Sequence, residues 1–442
     1  TTNSNIYYSF NSGSITADKS VAAGIVGVLN SARIEGVYNG GKIIARNTQA
    51  AGIVAYFNGG TLIDSYHFGS VLSEDDIGII VAHYLSGTIT RTFYDTDKLS
   101  LYKEESTYKK PTQAVGNKED QTATALFHGQ MLGTLAISKN NLNLYYVNNY
   151  KMIGSEGESS FYPQIIYFTN SNNEQVKNDS LESVRTNTFI VGEGTNNNPY
   201  FIRNESDWLL LADSTSNGND YNNQYFVVNN EIDELNFYDS EDNYQLLPVG
   251  TSNNPFNGIL DGKGINFRVN SNNINHYQAL FGYVGINGKV SNLSLSGSLR
   301  GGNYTAGIAA INEGLIESVY NQANITGSTH SAGIVSVNKG ILRNSYNRGK
   351  VVGTNFVGGI AAYLEGDLYN TYNTGVIYGR NTIGAIIGHY ENGMLSNSYY
   401  DRTILNSYRD VGVNIKPEGA VGTSYNGENV NALDKRFMVG EN

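Results

Sequence analysis

Four consecutive stretches of this chain are variants of one phrase: AGIAAINEGLIESVYNQANITGSTH, AGIVSVNKGILRNSYNRGKVVGTNFV, GGIAAYLEGDLYNTYNTGVIYGRNT and IGAIIGHYENGMLSNSYYD. Their leading glycines are Gly307, Gly333, Gly359 and Gly384, and their central aromatics are Tyr320, Tyr346, Tyr372 and Tyr399. A fixed period in this range means one structural unit stacked on copies of itself, because no single unit can bury its apolar face alone. The same phrase recurs near the N-terminus, with Gly24, Gly52 and Gly78 leading and with Phe10, Tyr38, Tyr66 and Phe93 as the aromatics.

Within each unit, short apolar runs alternate with glycine and asparagine, and no window is long or periodic enough for a helix. The pattern is strand, turn, strand, turn. A coil of 26 to 28 residues can travel round a small triangular section and return beside its start. The fold class read from the sequence is therefore all-β: parallel β-helix modules in tandem, right-handed by the general chirality of crossovers. Rows of like residues should fill the interior, Ile25, Ile53 and Ile79 in one half and Ile308, Ile334 and Ile360 in the other.

A larger repeat encloses the small one. HYLSGTITRTFYD, from His83 to Asp95, matches HYENGMLSNSYYD, from His389 to Asp401, at an offset of 306 residues. These two His and two Asp mark the module ends. ALFHGQMLG, from Ala125, pairs with ALDKRFMVG, from Ala432, after one inserted residue. The resulting division places closing coils of a first module at 1–95, an irregular α+β tail at 96–169 and a polar linker at 170–190. A second module follows at 191–401, and the start of its tail at 402–442. Residues 199–215 are expected to form a short capping helix around Trp208, the one tryptophan, with Ser206 or Asp207 as N-cap. The first true coil is expected to begin near Pro248. The chain opens inside one module's coils and stops inside the next module's tail. That suggests a portion of a longer array, or a subunit whose ends dock on neighbours along the solenoid axis.

Composition narrows the chemistry. Cysteine is absent, so disulfides and thiolate metal sites are excluded. Net charge is −11 without a long basic cluster, which argues against nucleic acid. No run of 18 apolar residues offers a membrane span. None of the six histidines stands in an H-E-x-x-H context, and no nonapeptide or EF-hand calcium spacing occurs. Glu313, Lys339 and Glu365 fall at matching positions on successive coils and read as a structural charge ladder rather than a catalytic carboxylate pair. The tyrosine row is expected to point inward, and Asn321, Asn347 and Asn373 to form a ladder at a turn. No catalytic, cofactor or metal residues are assigned.

The AGIV, AGIA and GGIA starts, each followed about a dozen residues on by S-Y-N or a close variant, resemble the GLUG-motif repeats of very long bacterial surface proteins. Such repeats include non-catalytic regions of immunoglobulin A protease-like proteins. The resemblance covers residues 6–95 and about 278–401. It implies exposure at the cell surface or outside the cell and a non-enzymatic role as stalk, adhesin spacer or filament segment. The alternatives are a carbohydrate-binding or polysaccharide-cleaving β-helix and a non-catalytic binding segment of a large secreted protease. Expected partners are neighbouring modules or subunits and a host glycan or protein receptor.

Overall fold

The computed structural model describes residues 4–101, 108–119, 123–132, 191–229, 232–238, 245–423 and 430–434, with short pieces at 150–151, 162–165, 167–169, 175–177 and 438. The chain divides into two compact units, Thr1–Val191 and Gly192–Asn442. Each is a β-solenoid built from parallel sheets.

In the second unit the longest sheet runs through nine strands in order, from Tyr200–Ile202 through Leu315–Asn321, Ile341–Asn347 and Asp367–Asn373 to Leu395–Asp401 and Val430–Leu433. Two further sheets form the other sides of the coils. One runs from Phe281–Val284 to Ile387–Tyr390, the other from Thr305–Ala306 to Ile383–Gly384. The register is one coil per step, so Ile316 lies beside Leu342, Leu342 beside Leu368 and Leu368 beside Leu395. These four side chains and the Ile308, Ile334 and Ile360 row are buried. Each such residue contributes about 1.5–3 kcal/mol through burial, and the stacking makes every coil the lid of the one before.

Serine and asparagine turn one corner of the coil. Ser318, Asn344, Asn370 and Asn397 adopt left-handed backbone at φ 55, 53, 54 and 46°. Asparagine tolerates that region better than other non-glycine residues. The bend breaks the strict alternation of the strand, so the next residues face in, out and in: Ser345 and Asn347 are buried and Tyr346 half-buried. The tyrosine row Tyr320, Tyr346, Tyr372, Tyr399 therefore lies on the outer surface, not inside as the alternation suggested. Successive rings of the first three stack at 4.8 and 4.7 Å. The asparagines face inward instead. Asn321 donates to Asn347 at 2.8 Å and Asn347 to Asn373 at 2.8 Å, and each also pairs with backbone two residues on.

That ladder explains the glycines. A Cβ on Gly307, Gly333 or Gly359 would lie within 3.0 Å of the Asn321, Asn347 or Asn373 side chain and closer still to the next coil's carbonyl oxygen. The next residue in this row is Ala385, not Gly384, because Gly384 pairs with Gly358. Alanine is admitted there because the partner of Asn373 in the following coil is Tyr400, so the ladder has ended. The first unit repeats the pattern. Gly24 and Gly52 face Asn39 and His67, whereas Gly78 pairs with Ala51 and the row passes to Ile79. The interior isoleucine row is accordingly Ile25, Ile53 and Ile80.

Coils of the second unit begin earlier than Pro248: Tyr200–Ile202 and Tyr225–Val228 already pair in parallel. The helix Glu205–Ser216 is inserted between them. Its N-cap is Asn204, whose side chain accepts from the Asp207 N–H at 3.0 Å, while Asp207 accepts from the Arg203 backbone and guanidinium. Asp207 thus lies inside the first turn rather than capping it. Trp208 is fully buried, edge-on to Phe267 and Phe281. Asn204→Ala is expected to lower the stability of this unit by about 1 kcal/mol, read as an earlier urea midpoint in Trp208 fluorescence.

In the first unit, Thr96–Leu101 is a helix, Ala123–Leu126 extends the main sheet and His128–Met131 is a 3-10 turn. Gln175–Lys177 pairs antiparallel with Tyr167–Thr169, so this part of the expected linker is a hairpin. The remainder of 170–190 lies outside the described residues.

Candidate functional site

The module-end motif is a cap and lock. Asp95 and Asp401 both cap the short helix that follows, accepting from Lys98 N–H and Ile404 N–H at 3.0 Å. Asp95 does more. Its second oxygen meets His128 Nδ1 at 2.6 Å and accepts from the Tyr162 hydroxyl, and all three side chains are buried. Burial opposes ionisation of Asp95, but the His128 and Tyr162 hydrogen bonds outweigh it and hold its carboxyl below the usual range. Tyr162 also covers Phe68 at 3.8 Å, beside the stacked Phe10, Tyr38 and Tyr66 row. The triad thus pins the tail over an aromatic ladder. His83 and His389 take no part in it. His83 stacks on Tyr56 at 5.1 Å and pairs with Asp76, while His389 stacks on Tyr363 at 4.7 Å and pairs with Glu391.

A groove lies on the outer face of the second unit, along the sheet from Phe281–Val284 to Ile387–Tyr390. Its floor is the outward row Tyr283, Ile311, Val337, Tyr363 and His389, one residue per coil. One rim is the corner row Tyr277, Tyr304, His330 and Phe356, all in left-handed backbone at φ 59, 59, 53 and 47°. Bulky residues rarely adopt this conformation, and each costs about 1–2 kcal/mol there. Asparagine occupies the equivalent state at the other corner, so the aromatic row departs from the cheaper choice at four successive coils. Ring stacking at 4.8–4.9 Å offsets part of the cost. The other rim is Glu313, Lys339 and Glu365.

Between the Tyr283 and Tyr363 rings the groove deepens to a pocket of about 310 Å³, lined also by Tyr277, Tyr304, His330, Lys339 and Glu365. Tyr283 donates to Glu313 at 2.7 Å, and burial with that carboxylate pushes the phenol's pKa up. Lys339 Nζ stands 3.9 Å from Glu313. The buried Nδ1 of His330 meets no partner among the described residues, and burial followed by repulsion from His389 pushes the imidazole's pKa down. The sequence carries the rim at spacings of 27, 26 and 26 residues, but its mixture of Tyr, His and Phe conceals it. The floor tyrosines lie three coils apart, too far for a repeat alignment to pair them.

Among the described residues no cluster of His, Cys, Asp and Glu could hold a metal ion, and no helix is long and apolar enough to cross a membrane. No protein-family model matches the chain, and no curated protein matches it. Among solved structures, it is similar to the crystal structure of a "putative immunoglobulin A1 protease from Bacteroides ovatus" at 16% identity and a TM-score of 0.40, covering 57% of this chain and 88% of that one.

Proposed function

We propose that this chain is a non-enzymatic structural element of a bacterial cell-surface or extracellular fibre, a tandem β-solenoid spacer. The observation that carries the reading is the continuity of side-chain and hydrogen-bond rows from coil to coil. The Ile316, Leu342, Leu368 and Leu395 row, the Asn321, Asn347 and Asn373 ladder and the Ile308, Ile334 and Ile360 row each propagate in one register, so tension along the axis is shared among parallel backbone ladders. The GLUG-like phrase supports a surface setting. The Glu313, Lys339, Glu365 order puts an ammonium between the carboxylates, which favours a charge ladder over acid–base work.

Antibodies against the chain should label intact producing cells or their shed fibres. Incubation of the purified chain with polysaccharides or immunoglobulin A should release no new chain ends. Labelling confined to broken cells would contradict the surface setting, and turnover lost in Glu313→Gln would contradict the non-enzymatic reading.

A further inference from the structure

The groove has more recognition chemistry than a spacer needs. Its corner row holds four bulky residues in a backbone state that asparagine would occupy at lower cost. Strain kept at successive positions is a mark of function. The pocket's size is at the lower end for a small-molecule site, and a mainly polar lining surrounds a small apolar floor. Ile311 and Val337 form that floor, and the Tyr283 and Tyr363 rings close its ends.

We propose that this pocket binds a short neutral oligosaccharide lying along the solenoid axis. Coils repeat at about 4.8 Å, close to the length of one pyranose residue, so successive sugars of an extended chain fall into step with successive coils. The apolar floor and ring edges suit the C–H faces of the sugars. The polar groups of the lining suit vicinal hydroxyls: the Glu365 carboxylate accepts, the Lys339 ammonium donates, and the tyrosine hydroxyls do either. Glu365 offsets the one ammonium in the lining, Lys339, and the chain's net charge is −11, which together disfavour an acidic glycan. The Tyr320, Tyr346, Tyr372 row is not the site, because its ring faces are already stacked on one another.

The test is calorimetric titration of the intact chain with cellotriose, laminaritriose, mannotriose and chitotriose, and with sialyllactose and trigalacturonate as acidic counterparts. At least one neutral trisaccharide should bind. Tyr363→Ala and Lys339→Ala should each weaken it by about tenfold. Tyr304→Asn should weaken it while leaving the melting temperature nearly unchanged, since asparagine fits the corner. His330 ring resonances should shift on titration in the parent chain. Binding that persists in all three variants, acidic sugars binding as well as neutral ones, or no neutral trisaccharide moving either the heat signal or His330 would overturn the proposal. A Tyr- or Trp-containing peptide displacing the sugar with higher affinity would do the same, by making the pocket a protein receptor.

Discussion

Asn347→Ala is expected to lower the unfolding free energy of the second unit by about 4 kcal/mol, at the upper end for single substitutions. The side chain makes four buried hydrogen bonds. Its oxygen accepts from Gly349 N–H at 3.1 Å and Asn321 Nδ2 at 2.8 Å, and its amide donates to Gly349 C=O at 2.9 Å and Asn373 Oδ1 at 2.8 Å. Alanine replaces none of these, and each orphaned buried group costs about 1–3 kcal/mol. Gly333→Ala attacks the same contact from the other side, since its Cβ would stand 2.4 Å from Asn347 Cγ and 2.2 Å from Gly359 C=O. The double variant should lose less than the sum of the two. Truncating Asn347 vacates part of the space that a methyl group on Gly333 needs. Urea unfolding followed by Trp208 fluorescence reads this unit directly. Full additivity would mean that asparagine and glycine are not one packing device.

The first unit should lose about 3 kcal/mol between about pH 6.5 and pH 4 because of His67. This residue replaces asparagine in the inner row: its Nδ1 stands 3.1 Å from Asn39 Nδ2 and 3.0 Å from the Asn39 carbonyl oxygen. Burial is the main cause that pushes its pKa from 6.5 down to about 4, against hydrogen bonds to the Asn39 and Gly69 backbones. Above pH 6.5 the imidazole is neutral folded and unfolded, so the contribution is intact. As pH falls through this window, the unfolded chain takes up a proton that the folded chain refuses, and stability declines. Asp95 acts in a separate window. Its folded pKa is depressed, so its contribution is present above the unfolded value near 3.8 and is lost as pH falls through the folded one. His67→Asn should flatten the first window and leave the second. Urea midpoints of both chains at about pH 7 and pH 4.5, by far-ultraviolet circular dichroism, check this. An equal acid-induced loss in both would show that the buried imidazole does not set it.

The solenoid is legible in the sequence because its rows are chemically uniform. Gly307, Gly333 and Gly359, or Asn321, Asn347 and Asn373, repeat the same side chain wherever the same steric or hydrogen-bonding problem recurs. Legibility fails where a row changes its chemistry. Gly384 and Gly78 attract a string alignment because they are glycines, yet backbone hydrogen bonds put Ala385 and Ile79 in the row. The tyrosine direction is hidden because one left-handed residue, Asn344 and its equivalents, resets the alternation. The groove is a product of register. Tyr283, Ile311, Val337 and Tyr363 share no residue type across all four and become neighbours only when coils stack. The Asp95, His128 and Tyr162 lock is invisible for another reason: its tertiary contacts span 33 to 67 residues and occur once, with no periodicity to betray them.

Each coil should behave as one mechanical unit in a stacked ladder. Single-molecule pulling of the intact chain along its length measures this. Each coil of about 26 residues should release roughly 90 Å of contour at ~3.5 Å per residue, giving a train of near-equal steps, with Asn347→Ala lowering the force of the steps around its own coil. Rupture of each unit in one all-or-none event, or steps of unrelated lengths, would show that the coils are not separate mechanical units.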